Sequence, residues 1–135
     1  MAFTTWKATL SVKVEQLDQQ HKRLVDMIND LYEAMKAGTG KETTETILSE
    51  LIDYTLVHFA DEERLLTQHG YPEIADHIVL HEVFTRQVME YDNKIKTGCS
   101  VLTLELMMFL QTWLVGHIKC EDMKFSQFLN ANGVK

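Results

Sequence analysis

Four runs of the chain place apolar residues at alternating steps of three and four, the spacing that gathers one face of an α-helix. The first run holds Leu17, His21, Leu24, Ile28, Leu31 and Met35; the second holds Leu48, Leu51, Thr55, His58, Glu62 and Leu65. The third holds Ile74, His77, His81, Phe84, Val88, Tyr91 and Ile95, and the fourth Leu102, Leu106, Phe109, Trp113 and His117. Breaker residues separate the runs at Gly38-Thr39-Gly40, Gly70-Tyr71-Pro72 and Gly98-Cys99-Ser100. The pattern predicts helices over about 17–37, 43–67, 73–97 and 101–120, preceded by an N-terminal arm over 1–16. Asp18 or a neighbour is the candidate cap of the first helix, Thr43 or Thr44 of the second and Ser100 of the fourth. Amphipathic helices on short loops can bury their stripes together, so the predicted fold is all-α: one domain over 1–135, an up-down-up-down antiparallel four-helix bundle.

Composition supports long helices and removes several functions. One proline and six glycines leave few forced turns in 135 residues. A formal net charge of -7 disfavours nucleic acid, whose phosphates need a basic face, and an anionic membrane surface likewise. The most apolar stretch, from Val101 to Ile118, is interrupted by Glu105, Gln111 and His117 and reads as a buried helix, so no membrane insertion by this domain is expected. Cys99 and Cys120 are too few for a disulfide framework and no leader precedes the arm, which makes the cytoplasm the expected location. Met107 and Met108 are adjacent and cannot both face inward.

The six histidines change the picture, because five occupy positions where the stripes ask for leucine or isoleucine. A buried imidazole must be hydrogen-bonded or coordinated. A single one is usually a satisfied core residue, but these five share a depth. Measured from the end of the bundle carrying the first and third loops, at about 1.5 Å per residue, His21, His58, His81 and His117 all lie roughly 24–26 Å along their helices. His77 lies one turn beyond His81 on the same face, and His69, in the second loop, reads as a surface residue. Glu62 is four residues from His58 and projects with it into the core, where an unpaired carboxylate costs several kcal/mol. A cation removes that cost.

Near the end of the fourth helix Glu121 and Asp122 are the remaining carboxylates. Asp122 is five residues past His117, about 140° round a regular helix, so both reach one metal only if the helix ends, unwinds or holds a π-bulge there. Such an irregularity is expected. Five imidazoles and two carboxylates are too many for one tetrahedral zinc. They suit two six-coordinate transition metals bridged by the carboxylates, with iron the expected metal.

These residues resemble the hemerythrin family in its bacterial single-domain form. The resemblance covers nearly the whole chain through Trp6, Leu10-Ser11-Val12, Asp18-Gln19-Gln20-His21-Lys22, His58-Phe59-Ala60-Asp61-Glu62-Glu63, Tyr71-Pro72, His77 with His81 and Phe84, and Trp113-Leu114 with His117-Ile118 and Asp122. It implies that His77, His81 and His117 hold one iron, that His21 and His58 hold the other, and that Glu62 and Asp122 bridge them together with an oxide or hydroxide. It further implies dioxygen as the partner, bound as hydroperoxide on the iron with two histidines, in a pocket lined by Leu24, Phe59, Trp113, Leu114 and Ile118. Lys13 stands where the family often has glycine, and Phe125 where it often has tyrosine.

The expected function is therefore reversible dioxygen binding for storage or delivery. A second reading gives the same di-iron chemistry to an oxygen- or redox-sensing domain of a signalling protein, and a third makes the chain a di-iron oxidase or peroxidase. The absence of any Glu-x-x-His pair weighs against the enzyme.

Overall fold

The computed structural model describes residues 4–7, 10–38, 41–97 and 104–135. It is all-helical: α1 spans Glu15–Ala37, α2 Lys41–Gln68, α3 Ile74–Lys96, α4 Leu104–His117, and a π-helical turn at Ile118–Asp122 leads directly into α5, Met123–Ala131. The first four form the antiparallel bundle. Each break has a local cause. Gly38 takes a left-handed φ of 63°, and its N–H closes onto the carbonyls of Ala34 and Met35 at the end of α1. Gly70, at φ 69°, does the same after α2, and Pro72 then prevents that helix from resuming.

The stripes meet in one core. Leu17, Leu31, Leu48, Leu51, Leu66, Leu106, Met107 and Leu110 are essentially inaccessible, whereas Met108 is 53% exposed. Aromatic rings tie α3 to α4, with Phe84 at 4.0 Å from Trp113 and 5.6 Å from Phe109 between ring centroids. No described helix is long and apolar enough to cross a membrane.

Several local expectations differ from the structure. The residue preceding α1 is Val14, with no side-chain cap; Asp18 instead accepts hydrogen bonds from Ser11 Oγ at 2.6 Å and the Val12 N–H at 2.8 Å, and so clamps the arm. Thr43 and Thr44 fall inside α2 rather than capping it. Ser100, Cys99 and the expected start of the fourth helix lie outside the described residues. The fourth helix does not stop near residue 120, because Phe125 and Leu129 continue its buried face beyond the π-helical turn.

The arm is laced to both neighbours. Thr4 and Asn29 exchange backbone and side-chain hydrogen bonds at 2.9 and 2.8 Å, Ser126 Oγ donates to the Val12 carbonyl, and Asn130 Nδ2 donates to the Lys13 carbonyl at 3.0 Å. Lys13 lies between these ties at φ 58°, the left-handed region that glycine occupies without penalty.

Candidate metal centre

All four bundle helices deliver a histidine to one buried layer. His21 comes from α1, His58 from α2, His77 and His81 from α3, and His117 from the last turn of α4; Glu62 lies one turn after His58. Asp122 reaches the same layer because Ile118–Asp122 is wound as a π-helix. At about 4.4 residues per turn rather than 3.6, the wider winding brings residue 122 back to the face of residue 117. The irregularity required by the five-residue spacing is present at that spacing. Glu62 and Asp122 are both fully buried.

The two carboxylates divide their oxygens between two groups of histidines. Glu62 Oε1 lies 2.5 Å from His77 Nε2, 3.2 Å from His81 Nε2 and 4.0 Å from His117 Nε2, while Asp122 Oδ1 lies 3.1 Å from His117 Nε2 and 3.5 Å from His77 Nε2. The second oxygens face the other way. Glu62 Oε2 is 3.1 Å from His58 Nε2 and 3.7 Å from His21 Nε2, and Asp122 Oδ2 is 3.1 Å from His21 Nε2. Two sets of donor atoms, one from Glu62, His77, His81 and His117 and one from His21, His58 and Glu62, each fall within 4.8 Å of one another.

The layer is chemically incomplete as a hydrogen-bond network. His81 and His117 bring their Nε2 atoms within 3.1 Å of each other. The Nδ1–H of His81 donates to Glu63 Oε2 at 2.8 Å, so in the neutral ring Nε2 is a lone pair, directed at other acceptors. Among the described residues both oxygens of Asp122, Glu62 Oε2 and both ring nitrogens of His21 lack a well-directed hydrogen bond despite their close approaches. Converging lone pairs and buried anions fit cations, one on each side of the carboxylates.

Protons respond to the same field. Burial opposes a charged His21, yet Asp122 and Glu62 outweigh it and push this imidazole up to about 9. Burial likewise opposes a charged His81, which Glu62 and Glu63 nevertheless raise above its ordinary value. For His58 burial wins and holds the ring below its ordinary value. Burial would raise Glu62, but its surrounding histidines hold it well below the usual carboxylate range; Asp122 is held down by His117 and His21 against burial and the charge of Glu62.

One helical turn from the layer, in the same direction on every helix, is a narrow apolar cavity of about 20 Å³. Leu24, Thr55, Phe84, Trp113 and Leu114 line it, with Ile28, Leu51 and Leu110 farther along. Thr55 Oγ donates to the Leu51 carbonyl at 2.7 Å, so its hydroxyl hydrogen is turned away from the cavity. Of the expected pocket residues, Leu24, Trp113 and Leu114 meet here. Phe59 stacks flat on His81 at 3.8 Å, beside the lining rings of Trp113 and Phe84 at 5.4 and 5.9 Å, and Ile118 is fully buried in the π-helical turn; neither lines this cavity itself.

His69 stands apart from the layer. It is half-buried at the surface, its Nδ1–H donating to the Leu65 carbonyl at the end of α2. The side chains of Cys120 and Glu121 lie outside the described residues. Phe125 is fully buried with its edge to His77 at 5.4 Å. Sequence reasoning missed Gln20 and Glu63, which back the rings of His58 and His81. Each is adjacent in sequence to a stripe residue and falls within a run that carries the resemblance, but neither signal gives it a role.

Comparison with known proteins bears on the same residues. The family described as Hemerythrin HHE cation binding domain matches residues 12–129. The chain is similar to a bacteriohemerythrin of Pseudomonas aeruginosa, 40% identical over 90% of this chain and 78% of the relative. It is similar to one of Stenotrophomonas maltophilia, 34% identical over 98% of this chain and 85% of the relative. A solved wild-type hemerythrin superposes with a TM-score of 0.89 at 29% identity, covering 93% of this chain and 97% of that one.

Proposed function

This chain belongs to the hemerythrin family, and from that premise we propose that it binds dioxygen reversibly at a pair of iron ions, as a store or a means of delivery. The observation that carries the proposal is the division of carboxylate oxygens: Glu62 turns one oxygen to His77, His81 and His117 and the other to His21 and His58, and Asp122 turns one to His77 and His117 and the other to His21. The first three histidines would hold one ion, the last two the other, and the carboxylates would bridge. Two ferrous ions held there would supply the two electrons that dioxygen takes up on binding.

The remaining residues do work that needs no side-chain acid or base. Leu24, Trp113 and Leu114 keep water from the layer through the apolar cavity, whose volume suits one small molecule. Phe59, stacked on His81 and 5.4 Å from Trp113, closes the core on the α2 and α3 side. Binding rather than turnover is supported by the histidine-rich donor set, which places less negative charge at the ions than a glutamate-rich one. The chemistry requires no partner beyond dioxygen, and we place the chain in the cytoplasm, where its two cysteines stay reduced. Gas and metal stoichiometry test the proposal together: two irons per chain, and one dioxygen taken up per two irons and recovered when the gas is removed. One iron per chain, or uptake that cannot be recovered, overturns it.

A further inference from the structure

His58 and His81 are each held from behind, by different chemistry. His58 Nδ1–H donates to the neutral amide oxygen of Gln20 at 2.6 Å, whereas His81 Nδ1–H donates to the Glu63 carboxylate at 2.8 Å. Beyond Gln20, its Nε2 donates to Asp61 Oδ2 at 2.8 Å, and Asp61 Oδ1 accepts from exposed Arg64 at 3.1 Å. On that side the negative charge is one amide removed and shared with a guanidinium. Glu63 touches its imidazole directly, in the groove between α2 and α3 beside Phe59 and Glu82.

Both contacts fix the same tautomer, with the proton on Nδ1 and the lone pair on Nε2 aimed at the layer. They do not give the same donor. A full negative charge against Nδ1–H pushes electron density through the ring to Nε2, and a neutral amide does so less. We infer that Glu63 and Gln20 are positioning residues that make the halves of the centre unequal. Glu63 turns His81 into a strong donor beside His77 and His117 and favours the higher ionic charge there; Gln20 orients His58 equally well but leaves it the weaker donor. The inference rests on the two-cation reading above.

Two exchanges test it without shortening a side chain. Glu63→Gln keeps an acceptor for His81 and removes the charge. Gln20→Glu combined with Asp61→Asn puts a carboxylate behind His58 and leaves an amide at position 61 to donate to it. In the iron-loaded chain, Glu63→Gln is expected to lower the ferric-over-ferrous preference about tenfold, an upward potential shift of about 59 mV per electron, and the paired exchange to move it the opposite way. Positioning is read separately from the imidazole nitrogen resonances of the metal-free chain, at a pH high enough to leave His81 neutral: His81 keeps its Nδ1–H tautomer in Glu63→Gln and loses it, in part or whole, to Nε2–H in Glu63→Ala. Two irons per chain with unmoved potentials, shifts of the same sign in both exchanges, or a fully retained Nδ1–H tautomer in Glu63→Ala would overturn the inference alone. Fewer than two irons in the unaltered chain would overturn the two-cation reading and this inference with it.

Discussion

Glu62 and Asp122 approach the histidine layer from different helices, and their oxygens pair off with the same two groups. One oxygen of each lies 3.1 Å or less from a member of the three-histidine group, and the other lies 3.1 Å from a member of the two-histidine group. A carboxylate retained only for packing needs no such division. The arrangement matches what two bridging ligands require.

Glu62→Ala removes the carboxylate that all five histidines approach. Iron content is expected to fall to one per chain or fewer, and the loaded protein to lose on the order of 3–5 kcal/mol, since a buried charge network loses its central partner. Elemental analysis after loading and a urea titration check this. Two irons retained per chain would exclude Glu62 as a ligand.

Leu114→Ala enlarges the apolar cavity beside the layer. The substitution is expected to cost about 2–5 kcal/mol through lost burial and the void it leaves. Water would then reach the centre more easily, so bound oxygen should be lost as ferric iron several times faster. The decay of the oxygenated spectrum measures this, and an unaltered rate would show that Leu114 does not guard the site.

Lys13 holds φ 58° between the ties to Asp18, Ser126 and Asn130. Glycine adopts this conformation freely but also gains freedom in the unfolded chain. Since the left-handed strain of about 1–2 kcal/mol exceeds that entropy, Lys13→Gly is expected to raise stability by up to about 1 kcal/mol. A urea midpoint that falls would contradict the reading of strain at this position.

The pH dependence follows from the shifted groups. His21 titrates near 9 in the folded, metal-free chain against an ordinary 6.5, so its stabilisation is complete below 6.5 and is lost as pH rises through about 9. Glu62 and Asp122, held below their ordinary 4.5 and 3.8, stabilise above those values and cease to do so as pH falls further. His58, held down by burial, resists protonation in the fold and so costs stability below 6.5. Metal-free protein should be most stable near neutrality and weaken toward pH 9. Iron-loaded protein should lack the alkaline decline, because His21 is then a neutral ligand. Urea midpoints of both forms from about pH 5 to about pH 9 decide it, and a shared alkaline decline would mean that His21 does not bind the metal.

The long helices and the shared depth of the histidines were legible because helical period is a property of spacing alone. Even the irregularity after His117 could be read, since Asp122 reaches the layer only through one. What lies past it could not be read the same way: the angular break at Asp122 marks an end as well as a bulge, and only the burial of Phe125 and Leu129 shows that the helix resumes. Gln20 and Glu63 escaped because a half-buried polar residue beside a stripe looks identical to a solvated one until the neighbouring helix is in place. Phe59 adjoins His58 in sequence, but a step of about 100° turns it toward α3, where it stacks on His81 instead of lining the cavity.

The most direct test of the central claim is optical. Reduced, iron-loaded protein prepared without oxygen should be nearly colourless, develop a visible charge-transfer band when oxygen is admitted, and lose that band under vacuum through repeated cycles. A chain that turns irreversibly ferric on its first exposure, or that shows no oxygen-dependent band with two irons bound, would contradict reversible oxygen binding at this centre.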